Sequence, residues 1–260
     1  MDNNNLVSII MPAYNSADYI AESINSVINQ LYKNWELLIV DDGSTDRTCQ
    51  IVENYIEKDS RIILLHNKSV VHGAASARNC AIKMARGRYI AYLDSDDLWL
   101  ENKITEQLKF MKEKECAFSC VSYEVIDEQG NFKGKTVHML DKVNVNGFLR
   151  MNLLQTVGIM IDLMYVNKTL IYMPEYPKTE DAASWIKIMG SGYDCYGIYN
   201  VLAQYRRRKK SLSSNKFSSF KWMWNLYRKE AGCSVIWSAY YFIRYAKLAI
   251  WKRIPSEKKS

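Results

Sequence analysis

Apolar residues fall along this chain in two alternating rhythms. Leu6–Met11 (LVSIIM) is a mostly apolar run closed by Pro12, and Trp35–Val40 (WELLIV), Arg61–Leu65 and Tyr89–Leu93 (YIAYL) repeat its form. Runs of this length, rich in β-branched and aromatic residues and bounded by turn formers, predict buried strands. Between them the apolar positions recur at helical spacing. Ile20, Ile24, Val27, Ile28 and Leu31 follow the PAYNS turn, with Ser16 or Asp18 as the expected cap. Cys49, Val52, Tyr55 and Ile56 follow Ser44 and Thr45, either of which can cap. Gly73–Arg86 (GAASARNCAIKMAR) reads as a helix of small residues, with Gly87 closing it as a C-cap. Strand and helix thus alternate four times in the first hundred residues. That pattern predicts an α/β fold, a mostly parallel, Rossmann-like central sheet flanked by helices that binds a nucleotide.

Beyond Trp99 the regularity loosens. Leu100–Glu115 is predicted as an amphipathic helix, and Ala117–Ile126 and Lys133–Leu140 as strands of a mixed or antiparallel extension split by the DEQG turn. A helix over Val145–Leu154, an extended Gly158–Val166, a helix over Glu180–Met189 capped by Thr179 and a last strand at Tyr193–Tyr205 complete the pattern. With no internal repeat and no low-complexity linker, residues 1–205 are expected to form one domain on one sheet.

Composition adds two constraints. Six cysteines in 260 residues include no CxxC pair and no zinc spacing, and Cys116 and Cys120 are expected in a strand region. Met1–Asn5 is polar and Leu6–Met11 is too short for a signal-peptide core, so a cytoplasmic chain with reduced thiols is expected. The net charge of +7 is unevenly spread: residues 1–200 carry 20 Lys+Arg against 26 Asp+Glu, and residues 201–260 carry 15 against 2. The basic tail calls for an anionic partner. Its eleven aromatics from Phe217 to Trp251 are interleaved with Lys and Arg, and the apolar run Cys233–Ile243 is too short to span a bilayer. An interfacial helix in the headgroup region fits this pattern. Packing onto the domain and a homodimer contact are the competing readings. Single-stranded nucleic acid also suits basic and aromatic residues, but the acidic first 200 residues argue against a nucleic-acid partner.

The chemistry concentrates at YIAYLDSDDLW. Asp94, Asp96 and Asp97 follow directly on a predicted strand, and carboxylates so close repel one another unless a cation lies among them. Mg²⁺ or Mn²⁺, hard ions that take carboxylate oxygens and share their remaining positions with substrate phosphates, would relieve that repulsion. A solvated acidic turn before a helix is the bland alternative. Strand ends are also where open α/β sheets bind ligands.

Four blocks, SIIMPAYNSADYI, WELLIVDDGSTD, ARNCAIKMARGRYIAYLDSDDLW and TEDAASWIKIM, resemble glycosyltransferase family 2 in order and spacing across residues 6–205. These are inverting enzymes of the GT-A fold, and the chain is similar to short bacterial members that build O-antigen or capsule repeat units. The resemblance implies a UDP-sugar donor, a sugar on a polyprenyl diphosphate as acceptor, and a β-linked product made at the inner face of the cytoplasmic membrane, to which the protein would bind peripherally. It implies a nucleotide-sugar half at residues 1–99, an acceptor half at 100–205 and a basic, aromatic tail at 206–260. Pro12, Ala13 and Tyr14 would meet the uracil, Asp42 the base or ribose, and Arg78 the donor pocket. Asp96 and Asp97 would hold the metal, and Asp94 would meet the ribose or metal-bound water. Asp181 would be the general base, supported by Glu180, although a helix N-terminus favours both carboxylates in any case. Arg206 and Ser213 would close over the diphosphate. Tyr14 as a core aromatic and Arg78 as a surface cation are the plain alternatives. His72 departs from the family pattern, where a small polar residue is expected. A nucleotidyltransferase, which would release diphosphate, and a non-catalytic membrane adaptor remain as other classes, and glucose is the expected sugar.

Overall fold

The computed structural model describes residues 5–151, 154–175, 179–208 and 216–251. Its first half follows the apolar rhythm closely. Strands β1 (Val7–Ala13), β2 (Trp35–Asp41), β3 (Ile62–His66) and β4 (Tyr89–Tyr92) alternate with helices α1 (Ile20–Ile28), α2 (Thr48–Ile56) and α3 (Ala74–Met84). β1 pairs in parallel with both β2 and β4, and β2 with β3. Every residue of β2 and β4 is buried, which is why their sequences read as continuous apolar runs rather than alternating ones. Because these strands are parallel, their carboxyl ends open on one edge of the sheet.

The second half closes the sheet from the β4 side. After the two-residue strand β5 (Leu98–Trp99) and helix α4 (Lys103–Glu113) come β6 (Phe118–Ile126), β7 (Phe132–Val137), β8 (Lys142–Val143), α5 (Val145–Met151), β9 (Ile159–Asp162), α6 (Glu180–Gly190) and β10 (Cys195–Arg206). Among the described residues the sheet has ten strands in the order β3-β2-β1-β4-β9-β6-β10-β5, with β7 on β6 and β8 on β10. β9 is antiparallel to both β4 and β6, and β10 is parallel to β6. This mixed extension carries α6 toward the edge where β4 ends. Trp185 of α6 is fully buried and packs edge-on against Tyr92 of β4, with ring centroids 5.4 Å apart.

Several local expectations change. Gly87 is not a left-handed cap: α3 ends at Ala85 in extended conformation. Gly87 is needed for close approach, since a Cβ there would lie 2.6 Å from the Leu6 carbonyl and 2.7 Å from the Ser8 nitrogen of the β1 segment. Neither α1, α2 nor α6 has a side-chain cap. Ser16 instead spends its hydroxyl on Tyr14 and Ser95, and Thr179 enters α6 in the left-handed region, φ 67°. Cys116 falls outside the strands, and Cys120 lies inside β6. The tail packs onto the domain. Helix α7 (Lys216–Asn225), a π-helical turn at Leu226–Glu230 and α8 (Val235–Trp251) bury Met223, Leu226, Tyr227 and Tyr241 in the common core, against α5 and α6. No helix among the described residues is long and apolar enough to cross a membrane.

Candidate active site

The ends of β1, β2 and β4 build the first wall of the site. Ala13 and Asp41 are neighbours in register, and the Asp42 N–H donates to the Ala13 carbonyl at 2.9 Å. Asn15 turns the chain at φ 45° and is held by Ser44 and Thr45, leaving Tyr14 58% exposed beside the turn. Pro12 is half-buried and Ala13 buried, so Tyr14 is no core aromatic. Asp41 accepts from the Gly43 and Ser44 N–H groups and shapes the turn. Asp42 accepts from the Gly73 N–H at 2.7 Å, from Asn67 at 2.6 Å and, at 3.1 Å, faces His72 Nδ1. The unexpected His72 therefore bears directly on Asp42. Asn67 went unnoticed in the sequence, although its place just after β3 is the signal that would have found it.

The three acids after β4 part company. Asp94 is held by Arg78 at 2.7 Å and Asp96 by Arg208 at 3.3 Å. Asp97 is 1% exposed and accepts the Arg206 backbone N–H at 2.8 Å. Burial and then the neighbouring Asp94 push the Asp96 carboxyl above the ordinary carboxylate range, with Arg208 pulling the other way. Burial, Asp96 and Asp94 raise Asp97 much further. Asp97, expected as a metal ligand, is thus closed off from solvent and ties β4 to β10. Asp94 and Asp96 keep partly open carboxylates whose mutual repulsion two arginines only partly relieve. That donor set, hard oxygens on a partly exposed edge, fits Mg²⁺ or Mn²⁺.

Arg206 is the second correction. Its side chain is fully buried and is spent on the carbonyls of Asp96, Asp127 and Glu128 and on Glu22 at 2.5 Å. It braces the turn that carries Asp96 and is committed there, away from solvent. Among the described residues of this basic run, the cation that faces Asp96 is Arg208, two residues on. Ser213, in residues 209–215, lies outside the described residues.

Across the site stands the start of α6. Arg78, buried in α3, bridges Asp94 to Glu180, 3.2 Å away. Burial disfavours its charge, but Asp94, Glu180 and Asp181 together raise its pKa, so it stays a cation. Arg78 is therefore no surface residue. Its neighbour Asn79 is structural, since both ends of its amide pair with the Met173 backbone at 2.8 Å. Burial, followed by Asp181, pushes Glu180 above its usual pKa, and Arg78 opposes that shift. Asp181 accepts from the Ala182 N–H at 2.7 Å and from Thr156 at only 3.4 Å. Among the described residues, the three metal-type ligand atoms that come within 4.8 Å of one another belong to Asp41, Cys49 and His66. Asp41 is committed to its turn, and burial, then Asp41, pushes the Cys49 thiol up to about 11, so that group is not set up for an ion.

Two carboxylates on the strand edge, an arginine that bridges one of them to Glu180 and an acidic helix start thus come together at one end of the sheet. The profile of glycosyl transferase family 2 matches residues 8–165. The chain belongs to glycosyl transferase family 2. It is similar over 96% of its length to a putative teichuronic acid biosynthesis glycosyltransferase, TuaG of Bacillus subtilis, at 38% identity and 98% coverage of that protein. It is 39% identical to WfgD of Escherichia coli, a UDP-Glc:alpha-D-GlcNAc-diphosphoundecaprenol beta-1,3-glucosyltransferase, over 85% of each chain. Among solved structures, S. aureus TarS 1–349 in complex with UDP-GlcNAc shares the fold at TM-score 0.68 and 22% identity, covering 85% of this chain and 64% of that one. A family 2 glycosyltransferase of GT-A fold is thus the frame for the site.

Proposed function

We propose that this glycosyltransferase moves glucose from UDP-glucose, with inversion, onto a sugar carried by a polyprenyl diphosphate in the assembly of a bacterial surface polysaccharide. The observation that carries the reading is the placement of two carboxylate sets on opposite sides of Arg78: Asp94 and Asp96 at the strand edge, Glu180 and Asp181 at the start of α6. WfgD's named reaction supports the donor and acceptor classes.

Pro12, Ala13, Tyr14 and Asp42 receive the uridine: the strand-end backbone meets the base edge, Tyr14 lies against it, and Asp42 accepts from base or ribose. Asp94 and Asp96 would hold Mg²⁺ or Mn²⁺, which when bound neutralises charge on the departing UDP. Asp181 takes the proton from the attacking hydroxyl as that oxygen bonds to the anomeric carbon and the bond to UDP breaks on the opposite face. A single displacement on an α-linked donor gives a β-linkage. Glu180, held against Arg78, stands directly before the base at the start of α6. Arg78 is thus the fixed cation between donor side and acceptor side. Residues 1–99 form the donor half, 100–205 the acceptor half, and 206–260 an appended tail.

The tail supports peripheral binding at the inner face of the cytoplasmic membrane. Tyr241 packs inward, while Ile236, Trp237, Tyr240 and Ile243 of α8 are exposed along one side of that helix. Aromatic and aliphatic side chains on a basic helix suit the headgroup region. The test is a panel of UDP-sugars with α-D-GlcNAc diphosphate on a lipid chain, with Mn²⁺, Mg²⁺ or EDTA. Release of UDP and a β-glucosyl product that depends on the cation supports the reading; release of diphosphate, or no transfer from any UDP-sugar, overturns it.

A further inference from the structure

Near the site, β1 and β4 part. The Leu93 N–H still donates to the Ile10 carbonyl at 3.0 Å. Beyond that bond one chain turns through Tyr14 and Asn15 toward the base site, and the other through Asp94–Asp97 toward the cation. The two turns meet again at Ser16 and Ser95, both buried, whose hydroxyl oxygens stand 2.7 Å apart. A hydroxyl has one proton to give, and Ser16 gives its own to the Tyr14 carbonyl at 3.2 Å, so Ser95 is the donor in the shorter bond. Behind the pair the ladder continues. The Ser16 N–H donates to Thr48 Oγ1 at 2.8 Å, and Thr48 donates in turn to Asp46 at 2.5 Å. The other oxygen of Asp46 accepts from the Ala17 N–H at 3.0 Å. Side chains thus tie together the turns after β1, β2 and β4, where the sheet no longer does.

Ser95 is the residue between Asp94 and Asp96. Those two carboxylates stay partly open, while the Ser95 hydroxyl is spent inward, on the turn that carries Tyr14. On the other flank Arg206 fixes the Asp96 carbonyl at 2.7 Å and the Asp97 carboxylate at 2.8 Å. The acids are therefore held toward the base site by Ser95 and toward β10 by Arg206. A nucleoside diphosphate reaches both sites with one short molecule. Two subsites kept at the right separation bind it as a chelate, because the scaffold sets a high effective concentration for the second contact; a spacing that wanders forfeits the gain. We propose that the Ser16–Ser95 pair is a clasp that holds this spacing, so that a cation on Asp94 and Asp96 and the uridine wall at Tyr14 and Asp42 engage one UDP together. Ser16 and Ser95 are positioning residues, acting through the turns they join. The inference rests on the donor site proposed above and adds the residues that make its two halves act as one.

The test is calorimetry of UDP on the full chain, in Mn²⁺ and in EDTA, for the wild type, Ser95→Ala, Ser16→Ala and the double variant, with the melting temperature as a check of fold. The ratio of the two dissociation constants is the gain that the cation brings. Ser95→Ala is expected to keep the wild-type affinity in EDTA, where the uridine side binds alone, and to lower the gain in Mn²⁺ about tenfold, the scale of one buried hydrogen bond. The double variant loses no more of the gain than Ser16→Ala does, because both remove the same bond. Should Ser95→Ala fail to fold, Ser16→Ala decides. A folded variant with the wild-type ratio would overturn the clasp and leave the donor site standing. An equal loss in EDTA and in Mn²⁺, the mark of a merely structural role, would do the same. A wild type whose UDP affinity ignores Mn²⁺ would overturn the cation site itself, and the clasp with it.

Discussion

The two carboxylate sets of the site are held in opposite ways. On the strand edge the holding is dense: Asp41 accepts from two N–H groups of its own turn, Asp42 from the Gly73 N–H and Asn67, Asp97 from the N–H of Arg206 on β10, and Arg78 and Arg208 pair with Asp94 and Asp96. At the start of α6 Glu180 is paired with Arg78, but the holding of Asp181 is slight. Thr179 offers no side-chain cap, and among the described residues Asp181 accepts from the N–H of the next residue and, at 3.4 Å, from Thr156. The difference matches the two tasks. A nucleotide diphosphate is recognised the same way at every turnover and gains from a preorganised edge. A base must exchange one partner for an incoming hydroxyl, and a long contact to Thr156 is easily replaced.

That contrast can be broken at several points. Asp96→Asn strikes the strand edge where its charge is open. A loss of about a hundred- to a thousandfold in kcat/KM is expected, and UDP affinity measured by calorimetry should stop responding to Mn²⁺; an unchanged response would remove Asp96 from the cation site. Arg206→Met should cost about 2 kcal/mol in thermal or urea unfolding, because it takes the buried donor away from the carbonyls of Asp96, Asp127 and Glu128. Arg208→Met should leave the melting curve in place and raise the donor KM about tenfold, the scale of one charge-assisted contact at a partly exposed pair. If the two variants exchanged these phenotypes, the division between brace and site would fail. The smallest effect concerns Asp97. Its folded-state pKa is raised by burial, so the folded chain holds a proton that the unfolded chain releases, and stability falls as pH climbs from the ordinary carboxylate range through that raised pKa. Asp97→Asn keeps an acceptor for the Arg206 N–H and carries no charge. In EDTA its stability should decline less with pH than the wild type's; parallel slopes would contradict the assignment.

Much of this was legible in the residues, for reasons that also explain the misses. β1, β2 and β4 were readable because their faces are buried, which forces apolar runs that end where the fold turns. β5 and β8 have two residues each, too few for any period, and exist only through pairing with β10. Gly87 looked like a helix cap because the reason for it lies 79 residues away, in Ser8. Arg206 and Arg208 stand in one run of cations, and only the register of β10 against β6 decides that the first turns inward. In the same way DSDD fixed the neighbourhood of the acids, but which oxygen stays open depends on burial behind β4. Arg78 was found by its setting among alanines, while its bridge to Glu180 needed α6, 102 residues on, to be placed.

The claim on which the rest turns is that Asp181 accepts the proton of the attacking hydroxyl. Asp181→Asn keeps the shape and the N–H contact but not the basicity. Under saturating UDP-glucose and acceptor, kcat should fall by about a hundred- to ten-thousandfold while UDP binds with wild-type affinity in the presence of Mn²⁺. Transfer at the wild-type rate by that variant would contradict the account.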